Sequence, residues 1–177
     1  MKHDFSLIPF GDLPSPEIEI VGFIFRDRDR LNIQYQLQGE LSDIIIFQPT
    51  LTPTRQYDLW EHTCFELFLR LENTTKYWEF NLSPAGDWNV FYLTDYRQNM
   101  SEEMAIAALP FEVSQTTKSL QLILNFDLNS IIKSEQNIDV AITTVVENKE
   151  RELSYWALAH RAIAPDFHHP DSFILSL

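Results

Sequence analysis

Residues 120–128 read Leu120-Gln121-Leu122-Ile123-Leu124-Asn125-Phe126-Asp127-Leu128. Leu120, Leu122, Leu124, Phe126 and Leu128 alternate with a mostly polar set, so one face is marked for burial. That repeat of two belongs to a half-buried strand, whereas an apolar helix face recurs every three to four residues. Ile138, Val140, Ile142, Thr144 and Val146 form a second run, and its β-branched residues suit a pleated surface. Between them, Asn129-Ser130-Ile131-Ile132 has the length of one helical turn. Glu147–Arg151 reads as a polar hairpin loop into a further run, Leu153–His160. The same reading applied upstream gives Glu17–Arg26, Arg30–Leu37, Asp43–Gln48, Thr63–Leu71, Lys76–Leu82, Trp88–Leu93 and Phe111–Gln115, and Ser172–Leu177 closes the chain. About ten short strands with turn chemistry between them predict an all-β, antiparallel β-sandwich. Met100–Leu109 alone has helical character, with Met100, Met104 and Ala107 at helical spacing after Ser101-Glu102-Glu103, and it equally suits an irregular loop.

The chain has 177 residues, which predicts one domain over 1–177, long enough to bury its own core. Pro9–Pro16 and Pro49–Pro53 read as connections within that domain. A hydrophobic fraction of 45% argues against disorder. The formal charge of −13 makes nucleic-acid phosphates and anionic membrane surfaces poor partners. No stretch approaches the ~18 apolar residues of a membrane helix. Cys64 is the single cysteine, which excludes an internal disulfide and any site built on several thiolates. Met1-Lys2-His3-Asp4 is not followed by an apolar run of signal-peptide type, so a reduced, cytoplasmic setting is expected. Thirteen Phe, six Tyr and four Trp stand against four Gly, a surplus of rings that a functional account has to place.

The densest chemistry lies in residues 57–97. In Thr63–Leu71 one face carries Thr63, Phe65, Leu67, Leu69 and Leu71, and the other His62, Cys64, Glu66, Phe68 and Arg70. In the next run Tyr77, Glu79 and Asn81 oppose Trp78, Phe80 and Leu82, and Ser83-Pro84-Ala85-Gly86 makes a turn. If the two runs pair as a hairpin, their polar faces coincide. His62, Glu66, Tyr77, Glu79 and Asn81 then share one surface with Phe68. Rings beside carboxylates and an amide suit a sugar, which stacks its apolar face on a ring and gives its hydroxyls to the acids and amide.

Leu59-Trp60-Glu61-His62-Thr63-Cys64-Phe65-Glu66, Tyr77-Trp78-Glu79-Phe80-Asn81-Leu82-Ser83-Pro84 and Tyr96-Arg97 resemble the bacterial DOMON-like domains, relatives of the family 9 carbohydrate-binding modules. The ending, Trp156-Ala157-Leu158 through Pro165-Asp166-Phe167-His168-His169-Pro170-Asp171-Ser172-Phe173, resembles the close of the same domains. The resemblance implies an immunoglobulin-like or jelly-roll sandwich and a superfamily that binds either sugars or haem. In the sugar-binding relatives two Trp rings hold a sugar while Glu, Asn and Arg take its hydroxyls. Glu66, Glu79, Asn81 and Arg97 match by motif position, and Trp60 and Trp156, both at strand–loop junctions, are the ring candidates. The structural alternative for each Trp is a place in the core, and for the polar residues an internal hydrogen-bond network. The expected function is a non-catalytic domain that binds a small polar ligand, a saccharide, without a cofactor.

Five other readings remain. Haem would draw on Met100 or Met104 with His160 and would be non-covalent, because no Cys-x-x-Cys-His is present. His160, His168 and His169, with Asp166 and Asp171, could hold a metal, but their spacing matches no metal motif and suits side chains capping a proline-bounded loop. Cys64 beside His62 and Glu66 could be a nucleophile, although a strand interior offers none of the usual activating groups. Glu66 and Glu79 could serve as a glycosidase acid and base. A protein-interaction module without a small ligand is the last alternative.

Overall fold

A computed structural model describes residues 1–11 and 17–177; most of the expected Pro9–Pro16 connection lies outside the described residues. Two antiparallel sheets pack face to face. The first runs β1 (Lys2–Ser6), β3 (Ile18–Asp27), β4 (Arg30–Gly39), β10 (Ser119–Asp127) and β9 (Phe111–Gln115). The second runs β2 (Ile8–Pro9), β12 (Leu153–Ala157), β11 (Ile138–Glu147), β5 (Cys64–Leu71), β6 (Tyr77–Leu82), β7 (Trp88–Leu93) and β8 (Ser101–Glu102), with β13 (Leu175–Ser176) also on β11. The all-β sandwich read from the alternation is the observed architecture.

The period of two divides each strand between two environments. Leu120, Leu122 and Leu124 of β10, with Leu31, Ile33, Tyr35 and Leu37 of β4, face Phe65, Leu67, Leu69, Phe80, Leu82, Val140 and Ile142 across the sandwich, all of them buried. The other face of the second sheet is buried too, around Phe68, Tyr77, Phe91, Leu93 and Val145, because loops cover it. A sheet buried on both faces explains why β5 and β6 read as nearly continuous apolar runs.

One link between the sheets bears directly on that outer face. Tyr35 Oη, in the core, donates a hydrogen bond to the backbone carbonyl of Glu66 at 2.7 Å. Phe5 packs edge-on against Tyr35, with ring centroids 5.7 Å apart. Gly22 leaves the space for that ring, since a Cβ there would lie 2.5 Å from Phe5 and 1.9 Å from the Gln34 carbonyl oxygen. The backbone beneath Glu66 is therefore tied to the opposite sheet.

Three segments differ from the sequence reading. Asp43–Gln48 is not a strand: Leu41–Asp43 forms a 3-10 turn, and Ile44 makes a single bridge to Asn148. Met100–Leu109 is not a helix. Ser101 and Glu102 pair with β7, while Arg55 donates to the carbonyls of Glu103 and Ile106, acceptors that a helix would have used internally. Lys2–Ser6 is a strand the sequence reading lacked, because Phe5 is its single buried residue.

Candidate ligand-binding site

The 3-10 turn Leu59–Glu61, the loop after β7 and the segment after β12 close over the outer face of the second sheet. They leave a cavity of about 560 Å³. Glu66, Glu79, Leu93 and Val145 line it from the strands, with Leu153 and Tyr155 from β12. Trp60, Arg97, Met100, Pro165, Phe167 and His168 line it from the covering loops.

The hairpin register sets the acids. Glu66 pairs with Asn81 and Phe68 with Glu79, so Glu66 and Glu79 are diagonal neighbours on one face. Thr143, opposite Glu66 on β11, donates to Glu66 Oε2 at 3.1 Å. Asn81 Nδ2 donates to Glu79 Oε1 at 2.9 Å. The remaining oxygens, Glu66 Oε1 and Glu79 Oε2, are buried without a hydrogen-bond partner among the described residues. The two residues are only 2% and 4% exposed. Burial, then the neighbouring Glu79 charge, pushes the Glu66 carboxyl well above the usual carboxylate range. Burial likewise pushes Glu79 up to about 7, against the Asn81 hydrogen bond and the Arg97 charge.

A second layer fixes the groups above the acids. Arg97 takes a left-handed backbone, φ 54°, and its N–H donates to Tyr77 Oη at 3.2 Å. The Tyr77 hydroxyl, 2.8 Å from His168 Nδ1, is then free to donate its own proton there. Burial, and after it the Arg97 charge, lowers His168 to about 4, so the imidazole is neutral near pH 7 and carries its proton on Nε2. Its Nε2 lies 3.8 Å from Glu79 Oε2, and with a neutral ring this contact is not an ion pair. The Arg97 guanidinium is engaged elsewhere: Nη2 and Nε donate to Asp166 Oδ1 at 2.8 and 3.3 Å. Tyr96 Oη donates to Asp166 Oδ2 at 2.6 Å. Burial opposes ionisation of Asp166, but these hydrogen bonds outweigh it and hold the carboxyl below its ordinary range.

Of the residues singled out in the sequence for a sugar, Trp60, Glu66, Glu79 and Arg97 line the cavity together, joined by Met100 and His168, which the sequence offers for other chemistry. Asn81 is fully buried and reaches the site through Glu79, and Tyr77 through His168 and Arg97. His62 stands apart. The strand begins only at Cys64, so the alternation does not extend back to His62, whose Nδ1 lies 2.8 Å from Glu147 Oε2. Trp156 is in the inter-sheet core and does not face Trp60. It pairs with Thr144, which shares the inward face with Ile142 and Val146, and its indole donates to Ser154 Oγ at 3.0 Å. The ring that β12 turns to the cavity is Tyr155, one position earlier, and period two applied to the β11–β12 pair would have found it. Phe167 lies in a segment without periodicity and carries no such signal; His168, beside it, is named in the sequence only as a possible metal ligand.

The other candidates resolve locally. His160 Nε2 lies 2.9 Å from the Ile8 carbonyl oxygen, and His169 Nδ1 accepts the Asp171 N–H at 3.2 Å. Among the described residues no three His, Cys, Asp or Glu are grouped to hold a metal. Cys64 is fully buried, and burial together with the Glu66 charge pushes its thiol well up, the opposite of an activated nucleophile. The folded protein is therefore expected to resist a thiol-specific reagent at pH 8 and to react on unfolding in urea; rapid labelling of the native state would contradict this placement.

No family model matches the chain, and no curated protein matches it in sequence. Its fold is shared with solved structures. A candidate carbohydrate-binding protein from Bacteroides uniformis superposes with a TM-score of 0.74 at 13% identity, covering 98% of this chain and 84% of that one. A family 9 carbohydrate-binding module from Caldicellulosiruptor kristjanssonii, in complex with glucose, superposes with a TM-score of 0.50 at 8% identity over 82% of this chain and 69% of that one. Its complex with cellotriose gives the same TM-score and identity over 82% and 68%. The chain thus has a sandwich fold like that of the family 9 modules.

Proposed function

We propose that this chain is a non-catalytic binding domain of the kind represented by family 9 modules and DOMON-like domains, and that it takes a saccharide into the cavity over Glu66 and Glu79. The observation that carries the reading is the pair of buried carboxyls, each with one oxygen lacking a protein partner, beneath a space walled by Trp60, Tyr155 and Phe167. Buried polar atoms in proteins are nearly always satisfied, so the unmet hydrogen-bonding capacity suits the hydroxyls of a ligand, which donate and accept. The rings supply stacking surface. The cavity volume falls within the ~300–1,000 Å³ of small-molecule sites. The folding neighbours complexed with glucose and cellotriose support the same class of ligand.

The acids suit binding better than hydrolysis. A glycosidase keeps one carboxylate ionised beside a protonated acid; burial works against the ionised form of both Glu66 and Glu79. The solved structures that share the fold include a candidate carbohydrate-binding protein and carbohydrate-binding modules. Haem fits poorly. His160 is turned to the Ile8 carbonyl, and Met104 is 77% exposed, away from the cavity. Met100 does line the cavity, but the one histidine there, His168, accepts from Tyr77 on one nitrogen and faces Glu79 with the other.

Calorimetric titration with a saccharide panel tests the proposal, with Trp60→Ala as the diagnostic variant. Loss of the ring is expected to weaken binding by about tenfold or more with an unchanged far-ultraviolet spectrum. Equal affinity in Trp60→Ala would remove the cavity from the account, and no binding by any saccharide would remove the function.

A further inference from the structure

Acids outnumber cations around the cavity. Arg97 is the one cationic side chain among its lining residues, and Asp166 already engages it through two nitrogens. His168 is neutral near pH 7, and among the described residues no lysine lines the space. On the other side stand Glu61 at the surface and the buried Glu66 and Glu79. No cation is bonded to the buried pair among the described residues, each keeps one unpartnered oxygen, and burial holds both towards the protonated form. Buried carboxylates are ordinarily paired with a cation. Trp60, Tyr155 and Phe167 add ring faces, whose negative quadrupole attracts positive charge. Buried acids with an unpartnered oxygen each, inside a ring-walled cavity short of cations, have the makeup of a receptor for an ammonium group.

We propose that the saccharide taken here carries a protonated primary amine, a hexosamine with a free amino group, and that the amine is received by Glu66 Oε1 and Glu79 Oε2. This rests on the saccharide reading above and narrows it. A neutral sugar can bond to the unpartnered oxygens but leaves burial holding protons on the pair, whereas a cation between them favours the ionised form, the displaced proton passing to solvent. An ammonium supplies three donors and the charge together. An N-acetylated sugar has lost that charge and adds bulk at the position where the acids would receive it.

Calorimetry at pH 7 with glucosamine, glucose and N-acetylglucosamine tests the assignment. Glucosamine is expected to bind at least tenfold tighter than the other two, and Glu66→Gln with Glu79→Gln is expected to bring that ratio close to one. Tighter binding of glucosamine in the wild-type protein supports the proposal even if the double variant fails to fold. Equal or weaker binding of glucosamine overturns the amine assignment and leaves the saccharide reading standing. Failure of all three sugars to bind overturns both.

Discussion

Phe68→Ala is expected to cost about 3–5 kcal/mol of stability, the range for removing a buried aromatic ring, and to loosen the cover of the cavity. Phe68 is fully buried on the outer face of the second sheet. Its ring meets His168 edge-on at 5.3 Å and Phe173 at 6.4 Å, and lies 6.4 Å from Tyr77. Those contacts join the segment after β12 to the sheet, and that segment carries Asp166, Phe167 and His168. A truncated side chain would leave a void that the rigid β5–β6 pair cannot collapse to fill. Urea denaturation gives the stability loss, and limited proteolysis reports whether cleavage concentrates between residues 158 and 173. A loss below about 1 kcal/mol with no new cleavage would mean that Phe68 does not anchor the cover.

Glu79→Gln is expected to change how stability depends on pH. The folded chain holds a proton on Glu79 up to about 7, whereas the same carboxyl loses it near 4.5 when unfolded. The folded pKa of this acid is raised, so its burial is harmless below the unfolded value. It then becomes progressively costly as pH rises from there to the folded value. The shift corresponds to about 3 kcal/mol, absent at pH 4 and fully developed at pH 8. The amide cannot ionise, so the variant should gain that amount over wild type between the two pH values. His168 works in the other direction. Its folded value is depressed to about 4, so its contribution is present above its ordinary value of 6.5 and is lost as pH falls towards 4. His168→Gln should therefore give a difference of opposite sign over that lower window. Denaturation curves at pH 4, 6 and 8 measure both, and a constant offset between Glu79→Gln and wild type would contradict the burial of this carboxyl.

The parts of this protein legible in its sequence are those governed by strand periodicity. Alternation in Leu120–Phe126 marked the core face of β10, and alternation in two successive runs placed Glu66, Glu79 and Asn81 on one surface, as their register confirms. The face that alternation marks as polar is nevertheless buried, because loops without any repeat fold over it. Those loops supply Phe167, His168 and the Asp166 that holds Arg97, and their placement depends on long-range contacts such as Tyr96 to Asp166. Trp156 departs from its expected place for another reason: it sits near a strand–loop junction, but the parity of the strand sends Trp156 inward with Thr144 and leaves Tyr155 outward.

The central claim is that the ligand sits over the outer face of the second sheet, and the four indole N–H signals of the protein test it in a single titration. Trp60 lines the cavity. Trp78 is bonded to Glu103, Trp88 lies under the Arg55 guanidinium, and Trp156 is bonded to Ser154 inside the sandwich. As glucosamine is added, the Trp60 indole signal in a nitrogen–proton correlation spectrum is expected to move with dose and saturate while the other three stay in place. A stationary Trp60 signal, or a saturating shift confined to Trp78, Trp88 or Trp156, would contradict the account.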